Sequence, residues 1–462
     1  MTLVIREPPR AAYSRCMHSS ASSKPASAPA HVFVPFFIAS LTLTLTWGAT
    51  LGMINLARLT GDWGLGTLPR PSVWAHAYVQ VFGFMALFIM GVAAHVLPRF
   101  VGGALQYLPL VRWSFWLQVT GVVTIACGFF HGPPFIRPLW IAGSAFLVLS
   151  TAFFAAIVLK TLANGVPGKE PFRRWVAAGA VWLLISAGLA LAAAVADEVA
   201  WHRVVWMAAL VGFTSSWIFG VGSRILPIFL GCIPRWPRLD GAVFIAYEAG
   251  AVAWVCGAWP DQGSPGLDAA RLVGALLLVT SVAVYTASIG LFAPLRQTGG
   301  LRSPHDGWQR YVFGAWTWLF VSLLAGPGWT VARLMIGGNE SLLLLDISRH
   351  ALAFGFAAQM VLGVASRVVP NFTGKPLWSP RARDAAFYLL NASMLFRAIE
   401  LPIAFGYAVD AWPYIALAGP LGVAAMVLFS ANIVMTVRAK PAAAVQGIVP
   451  AHALRPTASH AP

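Results

Sequence analysis

The sequence predicts an all-α integral membrane protein of twelve transmembrane helices in three pseudo-repeats of four, and three observations carry that prediction. Hydrophobic residues make up 58% of the 462 residues and charged residues only 10%, far below the near-quarter charged content of soluble domains. Apolar runs recur at the length of about 20 residues that a hydrocarbon core of about 30 Å requires. One skeleton occurs three times without a gap: Gly83-Phe84, Gly91, Pro98, Phe100 and Gly102 return as Gly212-Phe213, Gly220, Pro227, Phe229 and Gly231, and again as Gly355-Phe356, Gly363, Pro370, Phe372 and Gly374. A pattern returning at one spacing marks copies of a larger unit.

Taken in order, residues 1–30 are rich in Pro, Ser and Ala without an apolar core of signal-peptide length, and read as a disordered cytoplasmic tail. The apolar runs follow near 31–54, 74–98, 110–131, 136–160, 174–196, 202–228, 240–258, 270–293, 309–330, 347–370, 384–406 and 411–436. They group into repeats of about 31–165, 170–295 and 305–438, and residues 439–462 read as a second unstructured tail. The repeated motif occupies the second span of each unit, so spans 2, 6 and 10 run in one direction. Of the 31 Lys and Arg residues, 23 fall on the side of both termini and 8 toward the other. That bias puts both termini in the cytoplasm. The net charge of +16 therefore reports topology, and no nucleic-acid partner is expected. The partner is the lipid bilayer. Cys16, Cys127, Cys232 and Cys256 form no metal-ligand spacing and read as ordinary free thiols.

The topology gathers histidines at one face. His76 and His350 lie near the outer ends of spans 2 and 10 at like depth, and His131 and His202 end span 3 and open span 6 on the same side. Two imidazoles facing each other from different helices are what a haem with both axial positions filled requires. The competing reading is a pair of interfacial residues at helix mouths; repeat symmetry and shared depth favour the ligand pair. His76 precedes Gly83 by two turns, so Gly83 and Gly355 are expected to give a flat ring room. The residues alone favour reading His131 and His202 as exposed loop-end histidines; the alternative is a second metal among them, copper, which imidazole suits. His95 lies about 28 Å along the helix from His76, and its repeat equivalents Arg224 and Arg367 point to anchoring at the cytoplasmic interface. Within the spans, Glu248 reads either as a proton-uptake group or as a structural hydrogen-bonding acid, since intramembrane ionisable residues are costly and often functional. Arg397 and Glu400 are three apart, a spacing that pairs them. Arg397, with Arg349 as its rival, is positioned for the bidentate contact to a haem propionate that guanidinium geometry favours.

The segment from His76 to Phe84, with Gln80 and ending in Leu97-Pro98-Arg99-Phe100, and the segment from His350 to Phe356, ending in Pro370-Asn371-Phe372-Thr373-Gly374, resemble the two signature segments of the NnrS family. That family comprises twelve-span haem- and copper-containing membrane proteins linked to nitric oxide stress and denitrification. The resemblance implies haem b held by His76 and His350, copper, a nitric oxide or nitrosyl partner with an electron donor it does not identify, and a bacterial inner-membrane location. More distantly the plan resembles the catalytic subunit of haem-copper oxidases and nitric oxide reductases, whose low-spin haem is held from helices 2 and 10. The chain departs from both patterns. Tyr78 and Val79 stand where the NnrS pattern has a histidine and an acid. Span 6 carries only His202, span 7 has no histidine, and span 10 carries only His350. An oxidase-type binuclear centre is therefore not expected. Three readings follow: a haem-binding protein of nitric oxide response, a reductase-like oxidoreductase of the oxidase superfamily, and a secondary transporter, whose plan also uses internal repeats.

Overall fold

The computed structural model describes residues 32–61, 72–168, 170–260, 264–292 and 307–439. The expected N-terminal tail and the expected C-terminal tail from residue 440 on lie outside them. Among the described residues twelve helices are long and apolar enough to cross a bilayer: α1 (Val34–Thr60), α2 (Ser72–Val101), α3 (Leu108–His131), α4 (Ile136–Ala163), α5 (Phe172–Ala196), α6 (Val199–Leu230), α7 (Pro237–Gly257), α8 (Pro265–Ser288), α9 (Trp308–Ile336), α10 (Leu342–Thr373), α11 (Pro380–Ala404) and α12 (Val409–Arg438). The protein is thus an all-helical integral membrane protein, as its composition predicts.

Burial separates the three motif helices from the rest. In their apolar stretches 89% of α2, 94% of α6 and 61% of α10 is buried, against 33–50% for the other nine. The motif helices line the interior and the others form the wall. α6 touches both its counterparts, through Tyr78 and Trp206 (ring centroids 4.9 Å) and through Phe219 and Phe356 (5.9 Å). α12 closes the ring against α1, where a Cβ on Gly419 would come within 2.8 Å of Met53.

The repeated residues have repeated jobs. Gly102, Gly231 and Gly374 all take the left-handed conformation (φ 63°, 67° and 65°) that ends each motif helix, one turn beyond Pro98, Pro227 and Pro370; only glycine adopts it without strain. The other glycines press onto the first helix of their own unit. A Cβ on Gly91, Gly220 or Gly363 would strike Phe36, Trp175 or Tyr311, one on Gly212 or Gly355 would strike Trp182 or Trp318, and one on Gly83 would press on Leu43 and on Val122 of α3. Small residues that let backbones approach are how membrane helices associate without a hydrophobic driving force.

Around Gly83, Gly212 and Gly355 each motif helix widens into an eight-residue π-turn: Val79–Ala86, Ala208–Ser215 and Ala351–Ala358. Such turns are rare and concentrate at functional sites. Carbonyls there still need donors inside a membrane. The third helix of the unit supplies them in two cases: Gln118 Nε2 donates to the Phe82 carbonyl at 2.9 Å and the Tyr247 hydroxyl to that of Val211 at 2.8 Å. α1 and α9 carry shorter π-turns at Thr44–Gly48 and Leu324–Gly328.

Ion pairs tie the helix ends. At the histidine end Arg203 makes a bidentate pair with Glu340, in the loop between α9 and α10, at 2.8 and 2.5 Å. At the other end Glu170 joins Arg224 (2.7 Å) and Arg173 (3.2 Å). Burial opposes ionisation of Glu340, but the hydrogen bonds from Arg203 and the charges of Arg203, Arg271 and Arg333 together outweigh it and hold its carboxyl below the ordinary value. Its contribution to stability is therefore complete above the unfolded carboxylate value of about 4.3 and is lost as pH falls through the lowered folded value. We expect Glu340→Gln to lower the thermal midpoint of the detergent-solubilised protein at neutral pH, with the gap to the parent closing as pH drops below that range. A gap independent of pH would show that Glu340 acts by packing alone.

Candidate functional site

His76 and His350 each enter the interior at the mouth of a π-turn. His76 stands three residues before Val79 and His350 immediately before Ala351. The His76 ring lies on α1. Its Nδ1 is 2.7 Å from the Gly48 carbonyl, at the end of the α1 π-turn, and a Cβ on Gly52 would come within 2.5 Å of its Cε1. A ring nitrogen that faces a carbonyl must carry the proton. Nδ1 is then the donor and Nε2 is left with its lone pair. The glycine at 52 thus makes room for the ring: Gly52→Ala is expected to push the imidazole off α1 and to shift the His76 ring-nitrogen signals in NMR spectra of the purified protein, while the fold, read by circular dichroism, survives. Unmoved signals would mean that the ring does not rest on α1.

His350 is fixed in the same way from its own helix. Its Nδ1 lies 3.0 Å from the Asp346 carbonyl and 3.5 Å from the Asp346 carboxylate. Asp346 is in turn paired with Arg397 of α11, and Arg397 with Glu400 at 3.2 Å. The expected Arg397–Glu400 pair is present, and Glu400 is only 1% exposed. Arg397 contributes to the site through Asp346, the acid that holds the histidine, rather than by standing free at a haem edge. His350 keeps 37% of its side chain accessible, so it borders open space.

Other expectations are redirected. Gly83 and Gly355 do not offer room to a ring, because Leu43 with Val122 and Trp318 already fill the space beside them. Arg349 lines a separate cavity beside α6 and α9. His131 and His202 do not assemble a copper site. His131 is exposed, with Nδ1 on the Cys127 carbonyl (2.8 Å) and its ring beside Phe135. His202 is 1% exposed and boxed by aromatics: Trp74 and Trp140 stack on it at 4.4 and 4.8 Å, and Tyr78 meets it edge-on at 5.5 Å. Among the described residues no three His, Cys, Asp or Glu side chains gather as a metal ion would need. His95 is no interfacial anchor either. It is buried against Phe372, with centroids 3.8 Å apart, and against Phe33, so it packs α2 onto α1 and α10. Its counterpart Arg224 does anchor, over Phe100 and Phe172 and onto Glu170. Glu248 accepts hydrogen bonds from Trp182 Nε1 (2.7 Å) and the Ser216 hydroxyl (2.9 Å), which joins α5 and α6 to α7.

Asp346 escapes the sequence reading, although it carries two readable signals: an acid inside a span, and a position four residues before His350, hence on the same helical face.

Comparison with known proteins settles the family. A family model described as NnrS protein matches residues 30–440. The chain belongs to the NnrS family. A search of curated proteins finds no match. Among solved structures, a haem-copper terminal oxidase dimer determined by cryo-EM is similar with a TM-score of 0.66 and 12% identity, over 89% of this chain and 85% of that one. At that identity the likeness shows the fold: this NnrS protein shares the helical plan of the oxidase subunit.

Proposed function

We propose that this NnrS protein binds a b-type haem between α2 and α10, with His76 and His350 as axial ligands, and serves the response to nitric oxide. One observation carries the ligand assignment. Both histidines stand at the same end of the two interior helices, each at the mouth of a π-turn. Each has Nδ1 fixed on a carbonyl, by Gly48 and by Asp346. Outer hydrogen bonds of this kind fix the tautomer and orient metal-binding imidazoles. His202 has the same Nδ1 arrangement with Val199 at 2.9 Å, but tryptophan rings occupy its surroundings. The residues present therefore fit a bis-histidine group at His76 and His350.

A haem so held binds or passes single electrons at a potential set by its ligands and their hydrogen bonds. The chain's own part is positional. The α1 π-turn presents the Gly48 carbonyl, Gly52 admits the ring, and Arg397 keeps Asp346 against His350. The nitric oxide role rests on family membership, and with it the reading of the bacterial inner membrane, both termini in the cytoplasm and a separate electron donor. Copper at His131 and His202 is not part of this proposal. A reductase-type centre would need a further ligand group, which the described residues do not assemble.

The test is the visible spectrum of the purified protein, oxidised and reduced, before and after addition of nitric oxide. A low-spin b-type spectrum that changes with nitric oxide is the expected result. A preparation without haem would sink the ligand assignment, and a haem spectrum indifferent to nitric oxide would sink the role.

A further inference from the structure

The side of α10 that carries Leu345, Ser348, Arg349 and Leu352 faces a small cavity. The cavity, of about 40 Å³, lies among α6, α7, α8, α9 and α10. Its walls are mainly hydrocarbon, including Val211, Phe219, Val282, Leu319 and Leu352. Three π-turns meet there: Val211 and Ser215 come from that of α6, Pro327 from that of α9, and Leu352 from that of α10. On the same measure roughly 10–15 Å³ admits one water, so the space has room for a small molecule of a few atoms.

The polar groups on the wall are nearly all spent. The Ser322 hydroxyl donates to the Ser348 carbonyl at 2.8 Å and that of Ser348 to the Ser322 carbonyl at 2.9 Å. Ser215 donates to the Leu210 carbonyl at 2.9 Å, and Tyr247 to that of Val211. Arg349 Nε is different: it is buried and has no partner among the described residues. A buried donor without an acceptor costs free energy. The site thus offers apolar walls and one unspent N–H. Water needs two to four polar partners, which this wall does not supply. An anion would lose its hydration to hydrocarbon.

We propose that this cavity is a binding site for a small neutral diatomic gas, apolar in body and able to accept one hydrogen bond from Arg349 Nε. Apolar solutes prefer such a space to water. That the gas is nitric oxide rests on the function proposed above; the existence of the site does not.

The experiment uses the full-length protein in detergent. Its structure under xenon pressure is expected to show xenon bounded by Phe219, Leu319 and Leu352, and Val282→Phe, which fills the space, is expected to lose it. Should that variant misfold, Val282→Leu is expected to lower xenon occupancy at least twofold. A second arm records the N–O infrared stretch of nitric oxide held at low temperature away from haem iron. It should shift in Arg349→Met. A parent with no xenon in this cavity, or an N–O band unmoved by Arg349→Met, overturns the proposal. Haem-free protein that still takes up xenon would sink the haem assignment and leave the cavity site standing.

Discussion

Replacing either His76 or His350 by alanine is expected to abolish the low-spin haem signal, by loss of the haem or by conversion to a high-spin form, while the corresponding changes at His131 and His202 leave it intact. The contrast follows from what surrounds each ring. His76 lies on the α1 backbone through Gly48 and Gly52, and His350 is backed by the Asp346–Arg397–Glu400 chain. His202 is enclosed by Trp74, Trp140, Trp206 and Tyr78, and His131 sits exposed at a helix end. His202→Phe keeps the aromatic packing and is the better control there. Reduced-minus-oxidised spectra with haem stoichiometry give the readout. Added imidazole should restore six-coordinate character to a cavity variant such as His350→Gly. If both alanine variants retain the parent spectrum, or if His202→Phe is the one that loses it, the ligand pair has been misassigned.

The fold was legible in the sequence because membrane spans are written as long apolar runs and because the skeleton of glycines, phenylalanines and prolines recurs. Its interior was less so. Counting two turns from His76 to Gly83 assumes a regular helix, whereas the π-turn from Val79 to Ala86 shifts the faces. Gly83 consequently meets Leu43 and Val122 rather than a cofactor. The support of His76 comes from a backbone carbonyl at Gly48, and no side-chain motif announces a carbonyl. His95 was misjudged for a related reason. Its repeat equivalents are arginines, but its own neighbours, Phe33 and Phe372, come from helices remote in sequence. Asp346 was within reach of sequence reasoning, since four-residue spacing from a candidate ligand is a local signal.

The second large effect concerns stability. Arg397→Met is expected to destabilise the protein by about 3–5 kcal/mol, the usual consequence of removing one partner from a buried ion pair. Arg397 is 6% exposed and Glu400 1% exposed, so the substitution strands a carboxylate with no water to take the place of its partner. Asp346, a third exposed along its side chain, bears less of this cost. Arg397 meets Asp346 and Glu400 through one nitrogen, Nη2, at the end of a longer planar group whose place the compact ammonium of lysine does not take. Arg397→Lys should therefore recover only part of the loss. The double substitution Arg397→Met with Glu400→Met should recover more, because it removes the orphaned charge along with its partner. Thermal unfolding in detergent gives the comparison, and the haem spectrum read alongside separates two roles of the same arginine. If the double variant regains stability but still binds haem weakly, the chain from Glu400 to His350 orients the ligand. If the single substitution costs less than about 1 kcal/mol, in the range of exposed pairs, water reaches these groups and the network is not the dry clamp that its burial describes.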